Sequence, residues 1–293
     1  MSFSHTFTVF LLCLCLIWAS CNLINPAEEL PIYLRLSKAL VSDKKTGDTS
    51  TIAAKVVWIE TGADSLGFFP LPTTVASLAG TGKQYTLYGG VSELAQGFVA
   101  IYPFWKPMYI NVDSAQTKIG DTLKINTKFE YYPDSILAYK LEEKFETTST
   151  NFENKIGTSV SIDLSMSTEH YEGAHSGVAH FEAEQQTFEA VSREDMDLPA
   201  DKVEYVEVTF KTNIPFEIGL KYYSPFSFGE IPTTAAVLDT ASQWKTVFLR
   251  LNNLTKNTPA DAQPASYKLF FRAIGNGTKR DLYLDNVRII ARK

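Results

Sequence analysis

Cysteine is scarce in this chain of 293 residues: Cys13, Cys15 and Cys21 are the full complement, all within the first twenty-one positions. From residue 22 onward no intramolecular disulfide is available to hold the fold. Long apolar runs are missing too. The longest, beginning at Phe7, spans about 13 residues, short of the roughly 20 that a membrane-spanning helix needs. Charge of one sign never accumulates: the net charge of -6 is spread along the chain, with no basic face for phosphate backbones, so nucleic acid is not expected as a partner. Histidine is rare, and His170, His175 and His180 stand five residues apart. On a strand such residues point to opposite faces, and none has the i, i+4 relation of a helical zinc motif, so they read as surface or strand-edge histidines. Catalytic signatures are lacking as well. There is no Gly-x-Ser-x-Gly elbow and no phosphate-cradling glycine loop. Carboxylate pairs such as Glu194 with Asp195 occur, but a glycosidase needs two set about 5 to 10 Å apart across a cleft. Enzyme activity is therefore not expected.

What is present begins at the N-terminus. Leu16-Ile17-Trp18-Ala19-Ser20-Cys21 closes the first apolar run with small residues before a cysteine, as at a secretory cleavage site. It resembles the lipobox of bacterial lipoproteins. That resemblance implies a signal peptide over 1–20, cleavage before Cys21 and lipidation of the Cys21 thiol. Acyl chains burying methylenes at about 0.8 kcal/mol each would anchor the protein stably to a membrane. Asn22, rather than Asp, follows the cysteine, which by the same resemblance favours the outer membrane. The 21–31 segment, with Asn22, Pro26, Glu28 and Glu29 and no apolar periodicity, reads as a short tether.

Hydrophobic residues at 45% with 13% aromatic are ample for packed cores. From Ile32 the chain reads as short β-rich runs separated by turns such as Gly80-Thr81-Gly82, with no convincing amphipathic helix. Over 32–113 this pattern predicts a small sandwich of immunoglobulin-like type. The 114–140 segment is a linker or a pair of connecting strands, and a second β-domain occupies 141–293. Its clearest strand alternates Val206, Val208 and Phe210 with Tyr205, Glu207, Thr209 and Lys211, a period of two that predicts one buried face. The fold class expected is all-β, with two β-sandwich domains.

The second half carries Leu141-Glu142-Glu143-Lys144-Phe145-Glu146, His175-Ser176-Gly177-Val178-Ala179-His180-Phe181, Trp244-Lys245-Thr246-Val247 and Leu282-Tyr283-Leu284-Asp285-Asn286-Val287. In that order these elements resemble the jelly-roll carbohydrate-binding modules. The resemblance implies a jelly roll, a polysaccharide partner and no catalytic cofactor. It also implies a structural calcium between first and last strands, for which Glu143, Glu146 and Asp285 match the ligand positions. The alternative is that these are solvated acidic residues near strand ends. The first half, through Val56-Val57-Trp58-Ile59, Phe69-Pro70-Leu71-Pro72 and Tyr102-Pro103-Phe104-Trp105-Lys106-Pro107, resembles the N-terminal region of uncharacterised bacterial surface lipoproteins, a family with no activity to carry over.

Sugar recognition needs flat aromatic faces with polar neighbours. The candidates are Tyr222, Tyr223 and Phe226, in a stretch of four aromatics in seven residues broken by Pro225, together with Trp244. Core packing is the alternative for each. The cluster from Tyr102 to Tyr109 either packs the two domains together or forms a patch for a protein partner. The expected function is a non-catalytic, lipid-anchored envelope protein at the outer membrane whose jelly roll binds a glycan or another envelope component. An accessory subunit contacting an envelope protein is the alternative. A glycan-cleaving enzyme is the third class.

Overall fold

The computed structural model describes residues 30–42, 49–62, 64–78, 81–93, 98–155, 157–163, 167–182, 184, 186–223, 229–259 and 266–293. Cys21, the segment before it and Phe226 lie outside the described residues.

The first half contributes β1 (Ile32–Leu36), β2 (Ala39–Ser42), β3 (Thr49–Ala54), β4 (Val56–Thr61), β5 (Asp64–Pro70), β6 (Thr73–Ser77), β7 (Lys83–Glu93), β8 (Phe98–Ile101), β9 (Met108–Val112), β10 (Thr122–Ile125) and β11 (Lys128–Glu130). Two three-stranded sheets, β10-β1-β6 and β11-β2-β3, form one layer. Strands β5, β4 and β7, with β8 and β9 also on β7, form the other. Period two explains the packing: Ile32, Leu34 and Leu36 of β1 are buried, whereas Tyr33 and Arg35 face out. The 114–140 segment supplies β10 and β11, which pair in parallel with β1 and β2.

The second half contributes β12 (Leu137–Glu143), β13 (Phe152–Asn154), β14 (Ile162–Asp163), β15 (Gly177–Phe181), β16 (Thr187–Ser192), β17 (Met196–Asp197), β18 (Glu204–Thr212), β19 (Phe216–Tyr223), β20 (Glu230–Leu238), β21 (Ala241–Arg250), the short helix α1 (Asn252–Lys256), β22 (Ser266–Ile274) and β23 (Arg280–Arg292). One layer is β14-β15-β23-β18-β21, with β12 also on β23; the facing layer is β13-β16-β22-β19-β20, with β17 on β22. Val206, Val208, Phe210, Ile218, Leu220, Leu269, Phe271, Leu282 and Leu284 meet between them in one core. Each such side chain removed from water stabilises the fold by about 1.5–3 kcal/mol. The chain is all-β, an immunoglobulin-like sandwich followed by a jelly roll.

The two sandwiches share a sheet. Phe248 of β21 pairs with Glu93 of β7 in parallel, joining the layers into one sheet of eleven strands. This junction corrects the one-face expectation for β18. Tyr205, Glu207 and Thr209 are buried as thoroughly as Val206 and Val208, and the first sandwich covers Tyr205 and Glu207 on their side of the sheet. The Tyr102 ring lies 5.2 Å from that of Tyr205 and 5.1 Å from that of Phe248, and Phe104 lies 5.9 Å from Tyr205. Tyr102, Phe104 and Trp105 of the aromatic cluster therefore pack the two domains together, whereas Tyr109 is exposed. The Tyr102 hydroxyl donates to Glu207 and the Tyr205 hydroxyl donates to Glu93.

Candidate functional site

A concentration of organised polar groups lies on the outer face of the β13-β16-β22-β19-β20 layer. Along β19, Phe216, Ile218, Leu220 and Tyr222 turn into the core, which leaves Glu217, Gly219, Lys221 and Tyr223 facing out. Along β22 the same alternation leaves Lys268, Phe270 and Arg272 outside. The register sets Glu217 beside Arg272, Gly219 beside Phe270 and Lys221 beside Lys268, while β16 brings Glu189 opposite Arg272.

Phe270 is buried although it faces outward. Lys221 Nζ and Arg272 Cζ lie 5.8 and 5.2 Å from its ring centre, and glycine is required next to it. A Cβ on Gly219 would stand 2.2 Å from the Thr233 carbonyl oxygen and 2.7 Å from the Phe270 ring.

Around that ring runs a chain of ion pairs. Lys221 Nζ donates to Glu189, and Arg272 Nε donates to Glu189 Oε2 at 2.7 Å. Arg272 Nη1 reaches Glu217 Oε2 at 3.4 Å, and Lys155 Nζ donates to Glu230 Oε2 at 2.9 Å. Burial works against ionisation of Glu189, but the bonds from Lys221 and Arg272 outweigh it and hold the carboxyl below its ordinary value. Glu230 is lowered in the same way: burial opposes, and Lys155 prevails. Beside this lattice opens a groove of about 400 Å³ lined by Asp195, Lys221, Tyr222, Tyr223, Glu230, Ser266 and Lys268.

The candidate sugar-binding residues are not brought together. Tyr223 is 61% exposed beside the groove. Tyr222, its neighbour on the strand, points the other way and packs against Tyr267 at 6.4 Å between ring centres. Trp244 sits on the opposite layer, in β21, with Tyr171 and Tyr283 around it. Lys221, Glu189, Arg272 and Glu230 were not singled out from sequence. Their available signal was the charged residue at alternate positions of otherwise apolar strands, as in Glu217-Ile218-Gly219-Leu220-Lys221.

The proposed metal ligands serve as loop anchors. Glu143 Oε1 accepts from the Phe145 amide at 2.7 Å and Oε2 from the Asn151 amide at 2.6 Å, which supports Phe145 at φ 57, a conformation uncommon for a bulky residue. Glu146 accepts from the Ala174 amide at 3.0 Å. Asp285 Oδ2 accepts from the amides of Tyr171 and Glu172 at 2.9 and 3.2 Å, while its buried Oδ1 has no hydrogen-bond partner among the described residues. Calcium takes six to eight oxygens. Here N–H donors already face all three carboxylates, and among the described residues no three His, Cys, Asp or Glu side chains converge to hold a metal ion. Burial pushes Asp285 up to about 6 despite its amide bonds. His180 is a surface residue, with Nδ1 at 2.7 Å from Asp281.

No protein-family model matches the chain, and no curated protein matches it. Solved structures similar to it include the N-terminal CBM22-1–GH10 modules of the Clostridium thermocellum endo-1,4-β-D-xylanase 10B complexed with xylohexaose, at 16% identity and a TM-score of 0.37. The match covers 52% of this chain and only 28% of that one. A xylan-binding domain from CBM22 matches at 14% identity over 54% of this chain and 96% of its own, with a TM-score of 0.36. A family 11 carbohydrate-binding module from Clostridium thermocellum, in complex with a β-1,3-1,4-mixed-linked tetrasaccharide, matches at 12% identity over 53% of this chain and 95% of its own, also at 0.36. With so little shared backbone and sequence, the site of this chain is judged on its own residues.

Proposed function

We propose that this protein binds a glycan without cleaving it, on the outer face of the β13-β16-β22-β19-β20 layer, and that a lipid on Cys21 holds it at the outer membrane. The observation that carries the reading is the lattice of Lys221, Glu189, Arg272, Glu217 and Glu230 beside an open groove rimmed by Tyr223. Donors and acceptors of both signs stand there in fixed positions, which suits the many hydroxyls of a sugar, and the exposed Tyr223 ring offers a surface for pyranose C–H groups. Binding without chemistry follows from the same electrostatics. A glycosidase needs one carboxylic acid with a raised pKa beside its substrate. In this lattice the carboxyls of Glu189 and Glu230 are instead lowered. The acids that are raised, Glu204 and Asp285, are fully buried away from the groove.

A glycan array on the purified protein tests the site. A saturable hit lost in Tyr223→Ala and in Glu189→Gln supports it; folded protein that binds no glycan, or whose binding ignores both substitutions, overturns it. The anchor is tested separately by cell fractionation, where Cys21→Ser should move the protein from membrane to soluble fraction and abolish labelling by a fatty-acid probe. An envelope protein partner is the second reading, favoured by β8, whose Phe98, Val99 and Ile101 are exposed on a strand paired only with β7 among the described residues.

A further inference from the structure

The first sandwich carries an aromatic row on the outer face of its β5-β4-β7-β9 layer. Val57 and Ile59 of β4 and Tyr85 and Leu87 of β7 are buried in its core, which sends Trp58, Glu60, Thr86 and Tyr88 to the other side, where they are half-buried. Register lines the rings up. Trp58 stands opposite Phe68 of β5 on one side and opposite Tyr88 of β7 on the other. Tyr109 of β9, 60% exposed, stands opposite Thr86, one step along the face from Tyr88. With neighbouring strands about 4.8 Å apart, Phe68, Trp58 and Tyr88 make a row roughly 10 Å long, about the length of a disaccharide.

Polar groups accompany the row and hold it. The Trp58 and Phe68 rings meet edge to face at 4.8 Å between centres, and Trp58 Nε1 donates to Glu60 Oε1 at 2.7 Å. Burial, then the nearby Glu60 carboxylate and Tyr109, push the Tyr88 hydroxyl above its ordinary value. Farther along the same face, Gln84 Nε2 donates to Asn111 Oδ1 at 3.0 Å. An indole fixed in this way loses little freedom on stacking against a sugar ring. A dry protein partner would strip water from the Glu60 carboxylate and the Gln84 and Asn111 amides, whereas the hydroxyls of a sugar replace those hydrogen bonds.

Charge narrows the ligand. Glu60 stands beside the rings, and no lysine or arginine occupies an outward position of β4, β5, β7 or β9, since Lys83 opens β7 in step with the buried Tyr85. An acidic polymer is repelled there and a neutral one is not. An extended chain of β-1,4-linked sugars keeps C–H groups on its flat faces and hydroxyls along its edges, matching rings flanked by polar side chains.

We infer that this outer face is a second binding site, for a neutral β-1,4-linked polysaccharide, with Phe68, Trp58, Tyr88 and Tyr109 as the stacking row and Glu60 as an acceptor for sugar hydroxyls. It lies on the other sandwich from the lattice face and stands or falls independently of it.

Calorimetric titration of the full chain with cellohexaose, with mannohexaose and with a β-1,4-linked oligoglucuronate of the same length tests the inference. At least one neutral hexaose should bind saturably and more tightly than the oligoglucuronate, with little change as salt rises from roughly 50 to 500 mM. Binding should weaken about tenfold or more in Trp58→Ala and in Tyr109→Ala, and should be unchanged in Tyr223→Ala and Glu189→Gln. Because Tyr109 is exposed, Tyr109→Ala should keep the parental melting curve, so its readout is separable from folding even where Trp58→Ala lowers stability. Binding of neither neutral hexaose, tighter binding of the oligoglucuronate, or affinity that survives Tyr109→Ala would overturn the inference. Loss in Tyr223→Ala with retention in Tyr109→Ala would also overturn it, by placing the neutral sugar on the lattice face.

Discussion

The Tyr131 hydroxyl donates to Glu207 at 2.8 Å, although 76 residues separate the two and they belong to different sandwiches. Tyr102 donates to the same carboxylate, so Glu207 is an acceptor held between two tyrosines of the first domain. Burial, with Glu207 adding to it, pushes both hydroxyls well above the ordinary tyrosine range. Replacing Glu207 by Leu leaves both hydroxyls buried without that acceptor and should cost roughly 2–5 kcal/mol, whereas Tyr131→Phe should cost about 1 kcal/mol. Urea unfolding followed by fluorescence measures both, and similar losses in the two variants would contradict the bridging role.

Glu204 opens β18 with no exposed surface, and neither of its carboxylate oxygens accepts a hydrogen bond from the described residues. Burial, opposed by Lys140 and Lys202 and reinforced by Asp197 and Asp201, pushes its carboxyl from 4.5 up to about 8. Between those values the folded protein keeps a proton that the unfolded chain has released, so stability falls as pH rises through the window. Asp285 adds to the decline between 3.8 and about 6. Melting temperature should therefore decrease as pH rises from about 4.5 toward about 8. Glu204→Gln should flatten the decline, and a slope identical in variant and parent would refute the assignment.

Gly219 sits where the β19–β20 register shifts, and the atom a Cβ would strike first is the Thr233 carbonyl oxygen, part of the backbone. Backbone cannot move aside as a flexible side chain does. Gly219→Ala should lower stability by about 2 kcal/mol or more and weaken glycan binding, since Phe270 and the cations over it must shift. Chemical denaturation paired with the glycan titration measures both effects; an unperturbed midpoint would show that the strands separate freely.

The anchoring role of Glu143, Glu146 and Asp285 has a direct consequence for stability. Asp285→Ala, which strands the Tyr171 and Glu172 amides, should lower stability by about 1–3 kcal/mol. If carboxylates and backbone carbonyls also hold calcium here, EDTA should lower the melting temperature of the parent, calcium should restore it and Asp285→Ala should abolish the response; a melting temperature insensitive to EDTA would remove the metal.

Much of the fold was legible because period two survives in the sequence. Ile32–Leu36, the Val206-Val208-Phe210 series and the Tyr267-Leu269-Phe271 series all form strands with the anticipated faces inward. Burial of Tyr205 and Glu207 was not legible, because it depends on a neighbouring sandwich whose contact residues lie about a hundred positions away. The binding face was illegible for the same reason. Glu189 and Arg272 meet only once β16 and β22 are paired, and no local spacing records that register. Tyr222 and Tyr223 show the converse: adjacency in sequence made them look alike, and the pleat assigns one to the core and the other to solvent.

The parallel pairing of Phe248 with Glu93 joins the two sandwiches' sheets at a single pair, and with the aromatic packing beside it replaces the usual swivel between tandem domains by a seam. Torque on either sandwich is passed to its partner through the shared sheet and the wedge of Tyr102, Phe104 and Trp105. A polymer gripped at the far face would thus be held at a set angle to the rest of the molecule, and tension on it would have to shear the seam before the domains could turn.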